Sequence, residues 1–261
     1  MKSFSESEIK YLAGLLDADG SLSFKFCETS AGRTYLYLVL SLSASCSIDR
    51  YGYIPSLSAR AGKLVKIVYE KESYSDAYKW SVQSRGELNQ LLPRLLKHMV
   101  IKGKHWSWLY QTFCRTKGQD VSSEAAQLKE DSILSRKNTG PIKPKKHPTW
   151  AWVAGYLDGD GCYTLSSKPQ LHVGAIAHTS DVCGLELLFK AFGGSIYQPR
   201  EDNTQLWRRG LGKSHKQFAI MFLKKMHRHS RLKRWKIEQM LAFHNQPQRL
   251  NEQIPTGKVI V

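Results

Sequence analysis

Leu12-Ala13-Gly14-Leu15-Leu16-Asp17-Ala18-Asp19-Gly20 returns 141 residues later as Val153-Ala154-Gly155-Tyr156-Leu157-Asp158-Gly159-Asp160-Gly161. That offset is about half of the 261-residue chain, so the sequence reads first as two copies of one unit. Downstream segments repeat as well. Tyr78-Lys79-Trp80-Ser81 resembles Gln205-Leu206-Trp207-Arg208, and Ile101-Lys102 resembles Leu232-Lys233, each of these before an aromatic helix. The expected organisation is an N-terminal unit over 1–116, a basic linker over 117–147 and a C-terminal unit over 148–261. The linker is poor in aromatics and ends in a Pro, Gly and Lys run (Arg136 to Lys146), which suits an exposed connection.

Each unit reads as a helix, two strands, a variable piece, two strands and further helices, a mixed α+β pattern. Ser5 with Glu8 forms a capping box that starts the first helix, and Gly20 allows a sharp exit after its end near Asp17. Leu22, Phe24 and Phe26 then alternate with Ser21, Ser23, Lys25 and Cys27, and Leu36, Leu38, Leu40 and Leu42 alternate with Tyr35, Tyr37, Val39 and Ser41. Period-two alternation predicts half-buried strands with one free face. Residues 64–71 and 77–83 read as a second hairpin. In the second unit, strands are predicted near 162–168, 170–178, 195–200 and 204–209, and helices near 150–159, 181–192, 213–226 and 231–244. The stretch 47–61 lacks the helical periodicity of its counterpart 181–192.

The chain holds 39 Lys and Arg against 22 Asp and Glu, a formal net charge of +17. That excess points to a polyanionic partner, most simply nucleic acid. It is spread over both units, with 16 basic and 10 acidic groups in 1–116 and 16 and 8 in 148–261, so two similar basic surfaces are expected along one long polyanion. No apolar run reaches the roughly 20 residues of a membrane span. Five cysteines, odd in number and without C-x-x-C spacing, read as reduced thiols in an intracellular protein. The N-terminal residues look like neither a signal nor a transit peptide.

The nine-residue repeat carries the chemistry. Ala13-Gly14 and Ala154-Gly155 leave shallow helix faces, so two such helices can pack as a seam and end at one place. Helix C-termini are partially negative and offer free carbonyls. Asp19 and Asp160 add two carboxylates there. Hard oxygen ligands beneath a positive surface describe a Mg²⁺ site, or one for another divalent cation such as Mn²⁺.

With both copies in this spacing and context, the sequence resembles the LAGLIDADG homing endonucleases, in particular the monomeric two-motif meganucleases. The resemblance covers nearly all of the chain outside the linker. It implies two αββαββα LAGLIDADG repeats whose antiparallel sheets form a DNA-binding saddle. It implies a metal-dependent endonuclease that hydrolyses both strands of a long asymmetric duplex, leaves short 3′ overhangs and promotes mobility of its host intron. Asp19 and Asp160 match the metal-binding acids, with the carbonyls of Ala18 and Gly159 completing coordination. Lys102 and Lys233 match the lysines near the cut, with Lys104 and Arg234 as close competitors. Where the family often has Gln, this chain has Ser45-Cys46-Ser47 and His178-Thr179-Ser180.

Strand parity assigns the DNA face: Ser23, Lys25, Tyr35, Tyr37, Ser41, Lys79, Ser81 and Gln83 in the first unit, with Tyr69 and Lys71 beside them. In the second unit it comprises Thr164, Ser166, Lys168, His172 and Arg208, with Gln198 and Arg200. These residue types can read base edges. Lys224 to Lys236 holds seven Lys or Arg and no acid, and is expected to touch phosphates. Trp106, Trp108, Trp150, Trp152 and Trp235 are expected in the core or an interface. The expected partner is double-stranded DNA bound by a monomer, with intron RNA (a maturase) or a cleavage-inactive DNA-binding regulator as alternatives. An organelle or a prokaryotic cytoplasm is the expected setting. An intein is disfavoured, because Met1 is not a splicing nucleophile and Gln246 follows His244-Asn245. The charge gives a first prediction: affinity for duplex DNA falls steeply and log-linearly between about 50 and 200 mM salt, measured by filter binding or anisotropy.

Overall fold

The computed structural model describes residues 3–69, 75–143, 147–165, 171–179, 182–197, 201–212 and 215–245. Helix α1 (Glu6–Asp19) leads into strands β1 (Gly20–Glu28) and β2 (Thr34–Ser45), a short helix α2 (Tyr53–Ser58), strands β3 (Lys63–Ile67) and β4 (Ala77–Val82), and helices α3 (Arg85–Leu96) and α4 (Gly103–Arg115). After α5 (Ala125–Ser135) the order repeats: α6 (Trp150–Gly159), β5 (Gly161–Leu165), β6 (Leu171–His178), α7 (Cys183–Phe192), β7 (Ser195–Tyr197), β8 (Thr204–Gly210), α8 (Lys216–His229) and α9 (Arg234–Asn245). The two antiparallel sheets have the same topology, β1-β2-β4-β3 and β5-β6-β8-β7. The expected α+β class and internal duplication are both present.

The strand alternation does what its period requires. Leu38, Leu40, Leu42, Trp80 and Val82 turn inward from the first sheet, and Val173, Ala175 and Trp207 from the second; all are buried. Each inner tryptophan satisfies its indole N–H on a carbonyl, Trp80 on Ala61 at 2.7 Å and Trp207 on Gly193 at 2.9 Å. One continuous apolar cluster spans both repeats. The core therefore does not stop at the half-chain boundary.

Three local readings change. Helix α1 opens on the expected capping box, but it runs two residues beyond Asp17. Gly20 leaves it in an extended conformation with φ −76°, so no left-handed turn is used. The glycine is needed for space, because a Cβ there would press on the Leu16 carbonyl and Cα. Second, 47–61 does contain a helix, but α2 has only six residues, too short for periodicity to register. Asp49 builds it by accepting the N–H groups of Tyr53 (2.7 Å) and Ile54 (2.8 Å). Third, the 117–147 stretch is more than an exposed connection. Val121 and Leu128 are buried with Leu36 beneath Phe24 and Phe26, and the Val121 N–H donates to the Thr34 carbonyl.

His105 of α4 faces this stretch, its Nδ1 2.8 Å from the Ser135 hydroxyl of α5. Burial first, then the Arg136 and Lys102 charges, push its imidazole down to about 4. Between pH 6.5 and about 4 the unfolded chain therefore takes a proton that the folded chain refuses. This contribution to stability is complete above pH 6.5 and is lost as pH falls through that window. His105→Gln should flatten the slope of unfolding free energy against pH in that window relative to the parent, as measured by urea melts.

Candidate active site

The site begins with space at the seam. Gly14 of α1 lies on the backbone of Trp152, and Gly155 of α6 lies on the backbone of Tyr11; a Cβ at either would overlap a main-chain carbonyl. The helices thus touch backbone to backbone, and their C-terminal ends finish side by side.

Two aspartates per motif then divide the work. Positions two apart on a helix differ by about 200° around its axis, so they face opposite ways. Asp17 points into the protein and is 2 % exposed. It accepts the N–H of Val100 (2.7 Å), the N–H of Lys102 (2.9 Å) and the indole N–H of Trp152 from the other repeat (2.8 Å). Burial raises its pKa from the ordinary carboxylate value and these bonds oppose the rise. Asp158 makes the mirror-image set of hydrogen bonds. It accepts from the Tyr11 hydroxyl across the seam (2.7 Å), from Ser230 (2.7 Å), and from the N–H groups of Arg231 (2.7 Å) and Leu232 (2.9 Å). Each first aspartate therefore ties one loop of its own repeat to one aromatic of the other.

The tied loops carry Lys102 and Lys233, and the structure turns these two, not Lys104 or Arg234, to the motif ends. Lys102 Nζ donates to the carbonyls of Leu16 (3.2 Å), Ala18 (2.7 Å) and Gly20 (2.9 Å). Lys233 Nζ donates to those of Leu157 (3.2 Å), Gly159 (2.7 Å) and Gly161 (2.5 Å). An ammonium has three donors, so each lysine spends them on three main-chain carbonyls where a motif helix passes into its strand. Lys233 is 5 % exposed; burial lowers its pKa, and Asp158 and Asp19 pull it back up.

The second aspartates are not buried: Asp19 is exposed and Asp160 half-buried. Asp19 Oδ2 lies where a Cβ on Gly159 would come within 3.0 Å of it, so the acid of one repeat touches the motif of the other. Crowding raises the Asp19 pKa, opposed by Lys233 and then Lys102. Its carboxylate accepts no hydrogen bond from the described residues, unlike Asp17. Asp160 borders a cavity of about 280 Å³ together with Lys102, Tyr156, Ile176, His178 and Thr204. This donor set fits a hard divalent cation: carboxylate oxygen is at hand, and the carbonyls of Ala18 and Gly159 each keep a lone pair beside the lysine bond. Among the described residues no three His, Cys, Asp or Glu side chains cluster as a cage. Water and phosphate would have to supply the remaining ligands, as Mg²⁺ tolerates.

Register places the expected base-reading residues on one face. Ser23 pairs with Val39, Lys25 with Tyr37 and Cys27 with Tyr35; Ser41 pairs with Ser81 and Ser43 with Lys79. Gln83 follows β4 on the same parity. In the second sheet Thr164 pairs with His172, and Arg208 lies opposite Gly174. Tyr69 is exposed beyond β3. Lys71, Ser166, Lys168, Gln198 and Arg200 lie outside the described residues. Parity in the sequence missed Lys63 and Val65, which pair with Ser81 and Lys79 and so share the face. It also missed Ile176, Leu206 and Tyr197, because an apolar residue reads as inward by default. Trp106 and Trp152 are core, and Trp235 lies under the Arg50 guanidinium of the other repeat, 3.6 Å from its ring centroid.

No protein-family model matches the sequence, and no curated protein matches it. Solved structures do. The I-SmaMI LAGLIDADG homing endonuclease bound to cleaved DNA superposes with a TM-score of 0.64 at 16% identity, over 91% of this chain and 87% of that one. The LAGLIDADG meganuclease I-AabMI bound to uncleaved DNA gives 0.60 at 15% identity, over 92% and 99%. I-SmaMI bound to uncleaved DNA in the presence of calcium ions gives 0.55 at 13% identity, over 94% and 100%. At this identity the likeness is one of fold, and the fold is that of the two-motif LAGLIDADG proteins.

Lys233→Met should leave three carbonyls and the buried carboxylate of Asp158 without their cation. A loss of about 1.5–3 kcal/mol is expected in urea melts run in EDTA. Lys233→Arg should lose less.

Proposed function

We propose that this protein is a site-specific, metal-dependent endonuclease of double-stranded DNA. The observation that carries this reading is the convergence of Asp19 and Asp160, one from each repeat, at the ends of paired helices beside a polar two-sheet face. The fold likeness to endonucleases solved with DNA supports the substrate class. The calcium in one of those structures supports a divalent cation, for which Mg²⁺ is our reading.

A bound divalent cation would activate water and offset charge on a phosphate. Asp19 and Asp160 would hold it, helped by the carbonyls of Ala18 and Gly159. Asp17 and Asp158 fix the loops, and through them the lysines. Lys102 and Lys233 neutralise the two helix ends, so that negative phosphates can approach a site with four aspartates nearby. Two equivalent acids, one per repeat, suit two cuts on opposite strands. Short 3′ overhangs and a role in intron mobility belong to the same reading.

The test uses the purified full chain, Mg²⁺ and a plasmid carrying the uninterrupted sequence of the gene that hosts this reading frame. Staggered cuts at one locus, lost in EDTA, are expected. Asp19→Asn and Asp160→Asn should each abolish double-strand cleavage and leave binding largely intact. Specific binding by the parent without any cut would overturn the nuclease reading in favour of a DNA-binding regulator.

A further inference from the structure

The two sheets share one scaffold, so their groove faces can be compared rung by rung. Gly20 pairs with Leu42 in the first sheet and Gly161 with Ala175 in the second, which makes Leu42 and Ala175 equivalent. One step closer to the carboxylates, the first sheet carries Ser43, Lys79 and Val65 in one hydrogen-bonded rung. The same rung of the second sheet is Ile176, Leu206 and Tyr197. This rung is apolar, yet it faces solvent: Ile176 is 39% exposed and Tyr197 48%. Its neighbours on that face are polar, with His178 and Thr204 on the inner side and Arg208 with Ser195 on the outer side. A solvent-facing apolar strip within a polar face marks a contact surface. Its continuity with the proposed DNA face selects DNA as the occupant.

The outer rung is also unlike its counterpart. Arg208 stands where the first sheet has Ser81, and Gly174 opposite it carries no side chain. The Arg208 guanidinium donates one N–H to His172 Nδ1 at 3.0 Å. Burial, and then the guanidinium itself, hold the His172 imidazole below its ordinary pKa, so at pH 7 its nitrogen can accept. Four of the five guanidinium N–H groups have no partner among the described residues. One pinned N–H fixes the rotamer and leaves an edge free for a planar acceptor pair.

We propose that the second sheet carries a two-part base code: the Ile176–Leu206–Tyr197 rung contacts thymine methyl groups near the cut, and Arg208, held by His172, reads one guanine further out. Apolar side chains recognise the thymine methyl, and arginine pairs with guanine O6 and N7. Same-face rungs lie about 6.6 Å apart, close to the rise of two base pairs at about 3.4 Å each. The guanine therefore falls about two positions outside the thymine step. His172 is a positioning residue. The proposal rests on the DNA-binding reading above.

The experiment is a binding selection in EDTA, with the full chain and a duplex library randomised across both half-sites. The half bound by the second repeat is the one whose preferences survive Lys79→Ala. There, thymine near the centre and guanine about two positions outward are expected. Arg208→Ala should cut the guanine preference by roughly 5-fold or more at that position alone. His172→Ala should weaken the same position only, and His172→Asn, which can still accept, should restore it. Ile176→Ser with Leu206→Lys imports the first sheet's residues and should erase the thymine preference while leaving guanine. Uniform weakening by Arg208→Ala with unchanged base preferences makes it a phosphate contact and overturns the code. Sequence preference confined to the first repeat's half also overturns it, with the endonuclease reading intact. No preference in either half sinks both.

Discussion

The backbone contact between α1 and α6 is the constraint on which the rest depends. Because Gly14 and Gly155 carry no Cβ, two helix C-termini can finish within reach of each other's side chains. That creates an electrostatic problem. Each helix end carries partial negative charge, and each motif adds two aspartates. Left alone, this concentration would drive the ends apart. The structure answers with two ammoniums seated in rings of main-chain carbonyls and with aromatic donors crossing the seam. A buried ammonium of this kind is weak evidence for stability, because desolvation offsets much of the attraction. Its effect here is geometric: it decides where the helix ends, the loops and the second aspartates can be.

Asp17 and Asp158 show how folding and chemistry are joined at this site. Each accepts hydrogen bonds from a loop more than 70 residues away in sequence, and from the partner repeat's helix. The loop bearing Lys102 cannot shift without breaking a bond to the seam, and the same holds for Lys233. The second aspartates inherit their placement from buried residues that hold the loops to the seam. This is a supporting shell built from main-chain N–H groups, which cannot rotate away as side chains can.

The parts of this arrangement that were legible in sequence are those with a period or a repeat. The nine-residue motif located the seam, and its recurrence located the second half. Leucine alternation in β2 fixed the buried face, and with it the outward side of Lys25, Tyr37 and Ser41. What escaped lacked such a signal. The buried role of Asp17 was implicit in helix geometry, since Asp17 and Asp19 cannot face the same way, but its partners Val100 and Trp152 are set by tertiary structure. The lysine-to-carbonyl rings could not be read from sequence, because nothing local distinguishes Lys102 from Lys104. Helix α2 is too short to show a period, and α5 with Val121 and Leu128 was hidden in a segment whose polarity suggested a linker.

The same duplication that makes the scaffold symmetrical leaves the groove faces free to differ. Inward positions answer to the shared core, so Trp80 has its equivalent in Trp207 and Leu42 in Ala175, within one continuous cluster. Outward positions answer to no core. Ser43 can become Ile176, Lys79 can become Leu206 and Ser81 can become Arg208 without disturbing a ladder hydrogen bond, because the backbone makes those bonds whatever the side chain. In a homodimer one substitution would appear in both halves and could serve only a symmetric target. A fused pair escapes that restriction. The divergence between the two repeats therefore falls on the two exposed faces, where substitutions are nearly neutral for folding, while the seam, its glycines and its inner aspartates hold both faces in one frame.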